Sequence, residues 1–262
     1  TGVDHSNVID YWNIASSTGN AVDFGDLTRK RSYIASCSNA SRALSFGGQS
    51  SSPFASGSDI IDYVTIASTG NATDFGDMLS ARNRAACESN GTRAIHGGGT
   101  DGSSNVNTIE YATIATTGNT IDFGDLSVAR ERLSAASNGS RIVFIGGQAG
   151  GYSNTMDYVT GDTTGNAQDF GDLLTPLSNH GATGTGTGDR AIVFGGLASG
   201  SYHNVIQYFP VSTTGNSSDF GDLLGNHAYA SACCNSTKAQ FVGGYNPGDI
   251  DIIQQVTMAT LG

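Results

Sequence analysis

Thr69-Gly70-Asn71-Ala72-Thr73-Asp74-Phe75-Gly76-Asp77 is the stretch on which the fold turns, because the chain repeats it. The Asp-Phe-Gly-Asp string starts at Asp23, Asp74, Asp122, Asp169 and Asp219, at intervals of 51, 48, 47 and 50 residues. A Thr-Gly-Asn precedes every copy, with its glycine at Gly19, Gly70, Gly118, Gly165 and Gly215. A fixed period of this size means one supersecondary unit copied along the chain, each copy burying its apolar faces against the next.

Upstream of each copy lies an apolar-acidic-Tyr segment: Ile9-Asp10-Tyr11, Ile61-Asp62-Tyr63, Ile109-Glu110-Tyr111, Met156-Asp157-Tyr158 and the degraded Ile206-Gln207-Tyr208. Downstream come a small-residue segment, a polar turn, a basic residue (Arg42, Arg93, Arg141, Arg190 or Lys238), an apolar run and a Gly-Gly pair. The second unit carries Gly97 where the others have Phe46, Ile145, Phe194 or Val242. Each unit reads as four strands. Strand a is the small-residue segment, and Asn90-Gly91 or Asn138-Gly139 makes the tight hairpin to strand b. Strand b is nearly all apolar, as a strand covered on both faces must be. Strand c is the Ile-Asp-Tyr segment, rich in residues that suit a pleated surface. Strand d carries Asp-Phe-Gly-Asp. No window has a helical apolar period.

Five four-stranded units predict an all-β fold, a five-bladed β-propeller with four antiparallel strands per blade. The expected blades are 27–77, 78–125, 126–172, 173–222, and 223–249 completed by 3–26. In this reading N-terminal strands c–d and C-terminal strands a–b close the ring in one blade and hide its open edges. Residues 250–262 are then an extra c-like strand, a competitor of the N-terminal c strand or a connector, whose loss should barely lower the melting temperature.

The Gly-Gly pair closing strand b, the Tyr of strand c, an aromatic on strand d and an Arg (Arg31, Arg82, Arg130) leading into the next unit resemble the kelch-type propeller repeat. Phe24, Phe75, Phe123, Phe170 and Phe220 stand where that repeat has Trp, and the last two units lack the lead-in Arg. The resemblance implies fold, since function lives in sites grafted on a fold. The Thr-Gly-Asn-x-x-Asp-Phe-Gly-Asp-Leu unit is also similar to repeats of virion structural proteins of tailed phages, marine and cyanobacterial ones included. That resemblance implies a virion or extracellular location, in a tail fibre, baseplate or capsid decoration.

The 262 residues hold 12 Lys and Arg against 23 Asp and Glu, a net charge of −11. This excludes a basic nucleic-acid binder. The apolar 37% in short runs excludes a disordered acidic tail. No run approaches the ~20 apolar residues of a membrane helix, and none resembles a signal-peptide core. Ten of the acidic residues belong to the five Asp-Phe-Gly-Asp copies, and without them 12 cations face 13 acids. The acidity is therefore a copied structural motif on the outer strand. Cys37, Cys87, Cys233 and Cys234 form no metal-spaced set and read as small buried hydrophobes, with a vicinal Cys233–Cys234 bridge as the rarer alternative.

Asp-Phe-Gly-Asp has no phosphate loop or His-Arg-Asp beside it, so kinase chemistry is excluded. The Phe is expected between blades and the Gly at a bulge or close approach. Calcium is weighed as a lesser reading of the paired carboxylates, without a Ca²⁺ loop to support it. The basic residue after the a–b turn reads as a solvated or Asp-paired edge group. Function is expected where the repeat breaks, on the face shared by the b–c loops and the d–a segments. The candidate ligand-binding residues are Arg31, Phe54, Arg82, Asp101, Arg130, Tyr152, His180, Tyr202, His203, His227 and Tyr245. No catalytic residue, metal ligand or cofactor is assigned. The expected function is a non-catalytic binding or structural module. Its expected partners are a glycan or protein on a host or particle surface and other virion proteins, with no nucleic acid and no membrane insertion. The competing classes are a propeller enzyme acting on a carbohydrate and an intracellular kelch-like adaptor.

Overall fold

The computed structural model describes residues 5–15, 20–50, 57–184 and 189–259. Its strands fall in the order the repeat dictates. The first a–b–c–d sheet is β3 (Ala35–Ser38), β4 (Arg42–Phe46), β5 (Ser58–Thr65) and β6 (Thr73–Arg82). The second is β7 (Ala86–Ser89), β8 (Arg93–Gly97), β9 (Thr108–Thr113) and β10 (Ile121–Asp125). The third is β11 (Ser134–Ser137), β12 (Arg141–Ile145), β13 (Thr155–Thr160) and β14 (Gln168–Asp172). The fourth is β15 (Gly181–Gly184), β16 (Arg190–Ala198), β17 (Ser201–Pro210) and β18 (Ser218–His227). The fifth holds β19 (Ser231–Cys234), β20 (Lys238–Val242) and β21 (Ile253–Thr257), and β1 (Ser6–Tyr11) pairs with β2 (Val22–Arg31) in a separate hairpin. Every ladder is antiparallel, and the inner strands β3, β7, β11, β15 and β19 pack side by side in succession. The protein is an all-β, five-bladed β-propeller.

The copied motif supplies the inter-blade joint. The backbone N–H of Gly118 donates to Phe75 O at 2.8 Å, and Thr120 N–H to Asp77 O at 2.9 Å. In return Asp77 N–H donates to Asn119 Oδ1 at 3.0 Å. The same three bonds join Gly70, Ala72 and Asn71 to Phe24 and Asp26, and recur at Asn166 with Asp125 and at Asn216 with Asp172. Thr-Gly-Asn of one unit thus grips Asp-Phe-Gly-Asp of the unit before it. The carboxylates of the motif face water or its edge, and the backbone makes the joint. The Phe turns inward: Phe75, Phe123, Phe170 and Phe220 are buried, each edge-on to its own strand-c Tyr. A side chain of this size contributes about 2–3 kcal/mol by burial.

Gly76 lies at a bulge where β5 and β6 shift register, with φ 146°. A Cβ there would meet Gly118 O at 2.5 Å. Close approach and left-handed backbone both require glycine, as the sequence led us to expect. The basic residues after the a–b turn are placed differently from expectation. Arg42, Arg93, Arg141 and Arg190 stack on Tyr63, Tyr111, Tyr158 and Tyr208 at 4.4–4.8 Å from the ring centres. Each also donates to a carbonyl of another unit, Ile114, Gly161, Ser212 and Met258 respectively. They are half-buried and not Asp-paired, because the flat guanidinium gains more from the ring and the carbonyl than from a mobile surface carboxylate.

The expected closure, N-terminal strands c–d pairing with C-terminal strands a–b in one blade, is not what forms; the two segments meet where Trp12 Nε1 donates to Gln240 Oε1 at 2.8 Å. The free edge of β20 pairs with β21 from Lys238↔Thr257 to Val242↔Ile253, while β1 pairs with β2 alone. Strand β21 wins that edge because it also anchors its neighbour blade. Leu224 N–H donates to Gln254 Oε1 at 2.8 Å, Arg190 to Met258 O, and Met258 is buried in the apolar cluster of blades four and five.

Two outcomes follow. Gly76→Ala should destabilise the protein by about 3 kcal/mol in urea unfolding. Deleting residues 253–262 should lower the melting temperature by at least about 5 °C, in contrast to the dispensable strand that the repeat count implies.

Candidate functional site

Arg31, Arg82 and Arg130 lead from strand d towards the next strand a, and all three are buried. Arg130 Nη1 bonds Asp157 Oδ2 at 2.6 Å, while its Nε and Nη2 donate to Gly146 O and Phe144 O. Arg31 pairs with Asp62 at 2.5 Å and donates to Gly47 O and Ile60 O. Arg82 pairs with Glu110, whose other oxygen accepts from Thr120 Oγ1 and Leu79 N–H. Burial would raise the Glu110 carboxyl, but the His96 contact at 3.3 Å and the Arg82 charge hold it well below the ordinary range. These arginines were candidate ligand-binding residues. The structure makes them internal struts that hold the Gly-Gly corner against strand c.

The aligned positions in the last two units explain why the Arg is absent there. Leu177 stands where Arg130 does, and Gln207 stands where Asp157 does. Gln207 Oε1 still accepts from Leu174 N–H and Ser217 Oγ, so the acceptor role survives without the charge. In the fifth unit His227 and Gln254 make the same exchange. A buried carboxylate without its cation is costly, so both members change together.

Two residues beyond this column the chain takes a left-handed turn at Tyr33, Arg84, Arg132, Asn179 and Tyr229, with φ of 52–59° and no glycine among them. Their backbones run as a chain round the axis. Arg84 N–H donates to Tyr33 O, Arg132 to Arg84 O, Asn179 to Arg132 O and Tyr229 to Asn179 O, at 2.7–3.1 Å. Non-glycine residues held in this conformation cluster at binding and catalytic sites, where surrounding structure maintains the strain. Bridges Ser32↔Gln49, Asn83↔Thr100, Glu131↔Gln148, Ser178↔Leu197 and Ala228↔Tyr245 bind these d–a segments to the b–c loops, so both lie on one face.

The side chains at this mouth are aromatic and polar. Arg84 stacks over Tyr33 at 4.6 Å and pairs with Glu131 at 3.2 Å, and Arg132 reaches the other Glu131 oxygen at 3.3 Å. Tyr245 packs against Tyr202 and Tyr229, with ring centres 6.1 and 6.4 Å away. Partial burial raises the Tyr229 hydroxyl, with Arg132 lowering it and Tyr202, Tyr33 and Tyr152 raising it. Tyr152 Oη accepts from Gly200 N–H at 3.1 Å. Beside Arg84 and Glu131 opens a polar recess of about 550 Å³, floored by Asn83, Thr100 and Ser103–Asn105.

Of the loop-face candidates, the structure brings Tyr152, Tyr202 and Tyr245 together at the mouth. Asp101 is exposed and caps Ser103 and Ser104 N–H, which shapes the wall of the recess. His203 stands opposite His227 across β17–β18, and His227 packs on Phe241. His180 is buried, occupying the column of Ile34, Ala85, Leu133 and Ala230, and burial pushes its imidazole down to about 4. Like the three lead-in arginines, it is withdrawn from the face. Phe54 lies outside the described residues. Sequence reading passed over Tyr33, Arg84, Arg132, Asn179 and Tyr229. Their signal is a repeat column that holds Tyr, Arg or Asn where the structural columns hold to one residue.

Among the described residues no group of three or more His, Cys, Asp or Glu side chains is placed to hold a metal ion. No protein-family model matches the chain, and a comparison with curated proteins returns no match. The repeat itself supplies the internal comparison. Arg130→Leu alone should cost about 3–5 kcal/mol by stranding Asp157, whereas Arg130→Leu with Asp157→Gln should recover most of it, read as a coupling energy in urea-unfolding cycles.

Proposed function

We propose that this protein is a non-catalytic binding module that recognises a carbohydrate at the mouth of the propeller axis. The observation that supports this most is the ring of five left-handed, non-glycine residues carrying Tyr33, Arg84, Arg132, Asn179 and Tyr229, flanked by Tyr152, Tyr202 and Tyr245. Rigid aromatic faces with one wet edge suit the apolar face of a sugar ring, and the arginine, asparagine and tyrosine donors suit its hydroxyls. Of the carboxylates beside the recess, Glu131 is held between two arginines and Asp101 caps two backbone N–H groups. Glycoside hydrolysis calls for two carboxylates flanking the bond, one of them free to protonate the leaving group. This favours binding over turnover. The phage-like wording of the repeat and the acid-rimmed, lysine-poor composition support a place on a virion or another extracellular surface, as part of a fibre, baseplate or decoration.

A glycan array followed by calorimetry on the best ligand tests the reading. Tyr229→Ala with Tyr245→Ala should weaken binding at least about tenfold, since each aromatic contact contributes on the order of 1 kcal/mol, while the melting temperature stays within a few degrees. Unchanged affinity in that variant would remove the mouth as the site. Release of reducing sugar from a bound polysaccharide would replace the module with an enzyme.

A further inference from the structure

The inner strands carry a second feature that the repeat does not explain. Cys37 on β3 and Cys87 on β7 lie on adjacent blades with their Sγ atoms 3.1 Å apart. Both are buried in the apolar cluster that joins blades one and two. They do not occupy one column of the repeat: Cys87 aligns with Ser36, and Cys37 aligns with Glu88. A copied residue would give two equivalent positions. Here two different columns, facing each other across one interface, have each acquired a thiol. The corresponding pairs at the next interfaces are Glu88 and Ala135, Ala136 and Ala182, and Thr183 and Ala232. The feature is thus particular to one joint.

We propose that Cys37 and Cys87 form a disulfide that staples blade one to blade two beside the axis when the chain folds under oxidising conditions. The oxidant is a small-molecule disulfide such as oxidised glutathione. One cysteine thiolate attacks it, forming a mixed disulfide and expelling one small thiol. The second cysteine then attacks the mixed disulfide, forming the Cys37–Cys87 bond and expelling the other. The two cysteines are oxidised, one small disulfide is reduced to two thiols, and the two cysteine protons end on those thiols. Burial, with Cys37 beside it, pushes the Cys87 thiol well up. The exchange therefore proceeds while the interface is still open, and the finished bond is shielded from reductant by the folded blades. Cys233 and Cys234 are adjacent in sequence and half-buried on β19, and they serve as an internal comparison.

The test is refolding of the full chain with and without oxidised glutathione, followed by alkylation in denaturant and a non-reducing tryptic map. The oxidised protein should yield fragment 32–42 joined to fragment 85–93, lighter by two hydrogen atoms than the separate peptides. Its melting temperature should fall by roughly 10 °C on reduction in denaturant and refolding without oxidant, the effect of releasing a loop of this length. Cys37→Ser should melt at the same temperature with or without oxidant. Alkylation of all four cysteines in the oxidised sample would overturn the proposal. So would a map in which Cys37 or Cys87 is bonded only to Cys233 or Cys234. Because the map is made on the unaltered chain, a variant that fails to fold does not blunt the result.

Discussion

The structure depends on a backbone joint. Three hydrogen bonds tie each of four Thr-Gly-Asn turns, those at Asn71, Asn119, Asn166 and Asn216, to the Asp-Phe-Gly-Asp bulge of the preceding unit, and they need both glycine at the bulge and asparagine in the turn. The joint sits at the outer edge of the blades, where a sheet would otherwise present unpaired groups to any other strand. It also turns the Phe inward and leaves both carboxylates towards solvent. The acidity of the protein and much of its glycine follow from that one contact repeated round the ring.

Inside this outer joint, the buried Arg–carboxylate pairs set where strand d ends and the next strand a begins. They are polar, and their guanidinium groups bond the Gly-Gly corner and the strand-c carboxylate of the neighbouring sheet. The fourth and fifth units show a second solution, with Leu177 and Gln207 or His227 and Gln254. Replacing both members keeps the acceptor for the d-strand N–H and removes two charges from the interior. The ring therefore tolerates either chemistry, provided the pair changes as a pair. This is why a buried arginine that looks like a loop-face ligand group in sequence becomes internal framework in three dimensions.

The mouth of the axis is where scaffold and variation meet. Bridges between the d–a segments and the b–c loops hold five successive left-handed residues at fixed positions, so side chains of different chemistry can be exchanged there without moving the blades. A chain of backbone hydrogen bonds from Tyr33 to Tyr229 links those positions. A stiff ring bearing variable aromatic and arginine side chains is a way to present a recognition surface at low entropic cost.

Five copies of one motif were enough to read the four-stranded unit, the number of blades, the inward Phe and the glycine at the bulge. All of these are local or strictly periodic, and period survives translation from one dimension to three. The tyrosines of the b–c loops were legible too, as large residues in segments of unequal length. What the amino-acid order left open was every choice between competing partners. Strands β1 and β21 have the same pattern, and only packing of Met258 and the reach of Gln254 decide which one borders β20. Arg31, Arg82 and Arg130 have the composition of surface groups, and only the position of Asp62, Glu110 and Asp157 on the neighbouring sheet withdraws them from solvent. Tyr33, Arg84, Arg132, Asn179 and Tyr229 are about 50 residues apart in sequence, and closure of the ring alone makes them one site. Sequence by itself determined the unit and its repetition. Tertiary structure decided which identical-looking segment pairs, which charge is buried and which distant residues meet, because those outcomes depend on contacts between units that no single unit contains.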